Sequence, residues 1–177
     1  NDVSYFERES PTLKVININD DELYTQYHVS NMIIDDFLYE NFNQIYRNRR
    51  LSLLDSLELV IKRNIPQIKS DFVKDNIRYR KAAIQMVVNN DNGKKVINQY
   101  FNKQDVQYSN PAYMNLFHEI FANYLASRQF GASDLRYMLY QDYDRFMSYL
   151  KEKDVFLAEN QNLAELIVAY NLKRMFY

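Results

Sequence analysis

Two histidines and no cysteine bound the chemistry that this chain of 177 residues can perform with its own side chains. His118 stands between Phe117 and Glu119 in the most apolar stretch, at the edge of a helical stripe. An imidazole there is a structural group before it is a general base. A di-iron helical bundle needs Glu three residues ahead of His on each of two helices. Thr25 and Asn115 hold those places ahead of His28 and His118. Asp36 and Glu40, four residues apart, can share a cation, but one such pair is common on any solvated helix. Gly93 and Gly131 stand alone, so no glycine-rich phosphate loop can form. Without cysteine there is no thiol nucleophile, disulfide or thiolate metal ligand. No catalytic residue, metal site or cofactor is expected within this chain.

Charge suggests binding more than catalysis. Lys74, Arg78 and Lys81 fall on one helical face, close in sequence to Arg47, Arg49 and Arg50. Such a face can meet phosphates, with Tyr79 available to stack on a base. Positions 47–95 hold twelve basic and five acidic residues, a balance of +7; positions 1–46 hold two basic and nine acidic, a balance of −7. The formal net charge is −1, whereas a domain built to grip nucleic acid is basic overall. The expectation is therefore that acidic and basic helices pack with complementary faces, and that nucleic acid is not the partner.

The elements that position these residues are helices. The first should run from about 21 to 47, with Asp20, Asp21 and Glu22 at its positive end and Leu23, Tyr27, Ile34, Leu38 and Ile45 along one face, widened by Phe37 and Phe42. A second, about 50 to 65, carries Leu54, Leu57, Ile61 and Ile65 and stops before Pro66. A third, about 70 to 89, buries Val73, Ile77, Ile84 and Val87, and a short one near 93–102 ends in Tyr100 and Phe101. Asn110-Pro111 reads as cap and first position of a buried helix continuing through Tyr113, Leu116, Phe117, Phe121, Tyr124 and Leu125. Ser133 can cap a helix from Leu135 to Leu150; Asn162, with Glu165 three residues on, can cap the last one.

Residues are 47% hydrophobic, with only two glycines and three prolines, which suits long helices and short turns. No apolar run approaches the roughly 20 residues of a spanning helix. Trp is absent while Tyr (16) and Phe (11) abound, as in a helical domain whose tyrosines keep their hydroxyls near water. The expected fold is all-α: an irregular bundle of six to seven amphipathic helices over 21–177, about 70–75% helical, preceded by an extended segment over 1–20. Leu13, Val15, Ile16 and Ile18 suggest one short strand there. The chain opens at Asn1, without Met or a basic-then-apolar leader, as expected of a piece of a longer protein.

The segment Asn110-Pro111-Ala112-Tyr113-Met114, followed by Leu116-Phe117 and Phe121-Ala122, resembles part of the thioredoxin-like lipoproteins of Gram-negative anaerobes. Tyr5-Phe6-Glu7, Tyr100-Phe101-Asn102 and Leu163 to Tyr177 agree in kind and order. The resemblance implies the helical middle region that precedes a thiol–disulfide oxidoreductase or peroxiredoxin-type domain, and a place in the cell envelope on the periplasmic side. The family's redox chemistry belongs to Cys-x-x-Cys, so no redox residue carries over to this chain. The resemblance therefore implies a non-catalytic spacer and interaction domain with a protein partner or client. Tyr137, Tyr140 and Tyr149 are the candidate contact residues, since Tyr is favoured in recognition surfaces. The alternative from a different class is a free-standing helical module that binds a peptide or apolar ligand in a groove between helices.

Overall fold

The computed structural model describes residues 22–89, 93–127, 133, 136, 139–140 and 142–176. Helix accounts for 81% of it and no strand occurs among the described residues, so the chain is all-α. The extended segment and strand expected over 1–20 lie outside the described residues.

Among the described residues nine helices can be followed: α1 (Leu23–Glu40), α2 (Ser52–Asn64), α3 (Asp71–Asn89), α4 (Lys94–Val96), α5 (Pro111–Phe121), α6 (Tyr124–Ser127), α7 (Tyr143–Lys153), α8 (Val155–Glu159) and α9 (Gln161–Phe176). Two π turns, Asn43–Arg47 and Ile97–Phe101, follow α1 and α4. The second carries the adjacent Tyr100 and Phe101, both buried. Gly93 opens α4 at φ 77°, a left-handed conformation that suits glycine, and a Cβ there would press on Met86 Sδ at 3.3 Å.

The organising element is α3, which serves two cores. Val73, Ile77, Ile84 and Val88 pack with Ile34, Phe37, Ile45, Leu57 and Ile61 from α1, the first π turn and α2. On its other side, Tyr79 and Ala82 join a larger core built by the second π turn and α5 to α9. A single apolar stripe was expected on this helix. Tyr79 is 2% exposed instead, so it cannot stack on a base. Its ring meets Tyr113 edge-on, 4.9 Å between centroids, and the aromatic packing continues through Phe101 to Phe121. Burial, not water contact, is thus the lot of several tyrosines; it pushes the Tyr79, Tyr100 and Tyr113 hydroxyls above their ordinary pKa.

Polar side chains hold the junctions. Asn110 caps α5 as expected: its Oδ1 accepts from the Ala112 and Tyr113 amides at 3.1 and 3.2 Å, while its Nδ2 donates to Phe72 O at 3.4 Å. Gln26, buried in α1, donates to Gln67 O and accepts from the Lys69 amide, which fastens the α2–α3 connection.

The helix expected to run unbroken from Asn110 past Leu125 breaks at Ala122-Asn123, between α5 and α6. Asn171 of α9 makes that break tenable: its Oδ1 accepts from the Leu125 amide at 3.2 Å and its Nδ2 donates to Phe121 O at 2.8 Å. A side chain here replaces the bonds that a continuous helix would make.

The helix expected from 133 to 150 is likewise interrupted. Asp142 adopts an extended backbone and caps α7, its Oδ1 accepting from the Asp144 and Arg145 amides. Leu135 and Met138 lie outside the described residues. The last helix starts one residue before Asn162, and Asn160 is the residue whose carbonyl takes the first helical bond. The Asn160 side chain is already committed to Asn102, Phe156 O and the Lys103 amide, which fixes the start there. Leu23 and Phe42, expected on the buried face of α1, are 51% and 52% exposed: Leu23 is the first residue of α1, and Phe42 stands where the π turn re-aims the chain after Asn41.

Candidate functional site

A groove of about 550 Å³ opens between α1, α3 and α5. Its floor is polar and built from two matched pairs. Asn31 and Asp35 stand one turn apart on α1; Asn76 and Arg80 stand one turn apart on α3. Asn31 Oδ1 accepts from Asn76 Nδ2 at 3.1 Å and from Arg80 Nη1 at 2.9 Å. Arg80 Nη2 donates to Asp35 Oδ1 at 2.6 Å. Asn76 is 1% exposed, so this network is anchored in the interior and reaches the groove through Arg80 and Asp35. The far wall is α5, which presents Asn115 and Glu119, both exposed, above Ala112 and Leu116. Tyr27, Leu38 and Tyr46 form the apolar rim, and Ala83 leaves room at the centre. The groove can therefore hold a segment with an apolar side chain and a hydrogen-bonding backbone, and its exposed carboxylates favour a basic residue beside it.

The basic face read from the sequence is present but mostly neutralised. Lys81 Nζ and Lys62 Nζ each approach a Glu58 carboxylate oxygen at 2.7 Å, and Lys74 pairs with Asp71 at 2.8 Å. Asp35–Arg80 is an ion pair between the acidic segment, on α1, and the basic one, on α3. Among the described residues Arg78 makes no ion pair; its guanidinium lies 5.6 Å from the Tyr79 ring centre and 5.4 Å from that of Tyr100. Lys62, Lys74, Arg78 and Lys81 ring a smaller cleft of about 290 Å³ between α2 and α3, floored by Ile61, Ile68 and Ile77.

Hydrogen bonds from Lys62 and then Lys81 lower the Glu58 pKa from 4.5 to about 2. A folded-state value below the unfolded one stabilises the protein fully above pH 4.5; the gain fades as pH falls toward 2. The carboxylate is half exposed, so screening holds this contribution to about 0.5–1 kcal/mol. Glu58→Gln should remove it: denaturant midpoints of the two proteins should coincide near the lower value and separate by the upper one. Parallel curves across that window would contradict the assignment.

Of the three tyrosines singled out by sequence, Tyr140 and Tyr149 lie among the described residues. Tyr137 lies outside the described residues. Tyr140 is 82% exposed, ahead of the break at Asp142. Tyr149 is half-buried on α7, packed on the larger core, with Lys153 Nζ 5.9 Å from its ring centre. His118 is exposed and stacks on Tyr170 at 4.6 Å. Among the described residues no group of three or more His, Asp and Glu is placed to hold a metal ion, and no helix is long and apolar enough to cross a membrane. Comparison with protein-family models, curated proteins and solved structures finds no match. The groove residues were missed because Asn31, Asp35, Asn76 and Arg80 read singly as solvated positions. The usable signal was that both pairs have the same spacing on neighbouring helices.

Proposed function

We propose that this chain is a non-catalytic helical interaction module whose groove between α1, α3 and α5 receives a segment of a partner protein. The observation that carries the reading is the Asn31–Asn76–Arg80–Asp35 network, rooted on the buried Asn76, which presents a fixed charge pair in a groove of about 550 Å³. Fixed polar groups among apolar walls orient a bound chain with little ordering cost. The sequence resemblance supports a setting for the module: a spacer in an envelope protein related to thioredoxin-like oxidoreductases, with chemistry housed in another domain.

The test is a photo-crosslinking amino acid placed at position 46 on the groove rim, and at position 152 as a surface control, in the native host. One discrete adduct specific to position 46, lost on introducing Ala83→Trp to fill the groove, is the expected result. Identical adduct patterns at both positions, or an adduct indifferent to Ala83→Trp, would sink the reading. A Cys-x-x-Cys domain in the same reading frame is the expected companion; a full-length protein without one removes the thioredoxin-related setting and leaves the groove untouched.

A further inference from the structure

The cleft between α2 and α3 is independent of the groove, and we infer that it binds a small amphipathic carboxylate, an acid with a short alkyl tail. Its volume of about 290 Å³ stands at the lower edge of small-molecule pockets, about 300–1,000 Å³, too little for a helix or a nucleic-acid strand. The branched side chains of Ile61, Ile68 and Ile77 form the floor and suit an alkyl tail.

Charge selects the head. Four cations and one carboxylate line the cleft, and that carboxylate, Glu58, is already held by Lys62 and Lys81. Lys74 leans on Asp71, whose side chain is 92% exposed, a pair weak enough to yield to a better acceptor. Arg78 has no carboxylate partner among the described residues and lies over the Tyr79 and Tyr100 rings, 5.6 and 5.4 Å from their centres. A cation held beside rings still needs acceptors for its N–H groups, and a guanidinium edge matches a carboxylate with two parallel hydrogen bonds. Arg78 thus supplies the fork, Lys74 the second charge, and the isoleucines the tail site.

Calorimetric titration of the whole chain with octanoate, octan-1-ol and acetate tests this. Octanoate should bind saturably, with the neutral alcohol and the tailless acid each weaker by about ten-fold or more, as expected when a charge-assisted fork or the tail contact is lost. Arg78→Gln should weaken octanoate by about ten-fold and Arg78→Lys by less, since a point charge keeps attraction without the fork. Lys94→Gln, on α4, should leave binding unchanged. Thermal melts of each variant separate lost binding from lost folding. Equal binding of alcohol and acid, or octanoate affinity indifferent to Arg78→Gln in a folded variant, overturns the proposal. So does preference for the capped peptide Leu-Glu-Leu over octanoate, which would make the cleft a protein contact.

Discussion

Replacing Asn171 with alanine should lower stability by about 2–4 kcal/mol, because two buried backbone groups lose their partners at once. Asn171 is 2% exposed, and its amide serves the Leu125 N–H and the Phe121 carbonyl across the α5–α6 break. Water cannot reach these groups, so each carries a desolvation penalty of about 1–3 kcal/mol once orphaned. Asn171→Asp separates the two roles: it keeps an acceptor for Leu125 but loses the donor to Phe121 and buries a charge, so it should not rescue the alanine variant. Urea denaturation measures the loss, and amide exchange at Leu125 should speed up selectively. A midpoint within error of the parent would show that the break needs no external partner.

Phe121→Ala should cost about 3–5 kcal/mol, the range for emptying an aromatic site in a tight core. Phe121 is fully buried, with Phe101 and Phe117 at 5.2 Å, Tyr124 at 5.4 Å and Phe156 at 6.0 Å between ring centres. These neighbours come from four different elements, so none can collapse into the space without dragging its own helix. Against a total stability of about 5–15 kcal/mol for a domain, the variant would stand near its unfolding threshold at room temperature. Phe121→Leu retains most of the volume and should lose less than half as much. Chemical denaturation of both variants checks the ratio; equal losses would mean that ring contacts, not volume, set the cost.

Much of this architecture could be read from residue spacing, because an apolar side chain every three to four residues buries one face of a helix whatever lies opposite. The limits of α2 and α3 and the Asn110 cap follow from that rule and from capping chemistry. The rule fails where a helix is covered on two sides. Tyr79 lies away from the Val73–Val88 stripe, so periodicity assigned it to solvent, while the second core buries it. It fails again where a polar residue is the packing element: Asn171 interrupts an apolar stripe and reads as a surface position. Asn160 and Asn162 are equally good caps by type; contacts with Asn102 and Lys103, some 57 residues away in the chain, decide between them. The groove needed tertiary knowledge too, because Asn31 and Asn76 become a site only when α1 lies against α3.

The shared position of α3 has a consequence for how the molecule responds to what it binds. Val73 and Tyr79 sit less than two turns apart on one rod, each locked into a different oily interior. Neither half can loosen without tugging that rod, so the halves should melt as a single cooperative unit. By the reciprocity of linked equilibria, an acid lodged beside Arg78 on the α2 side should then slow hydrogen exchange in α9, which shares the second interior with Tyr79, without touching it.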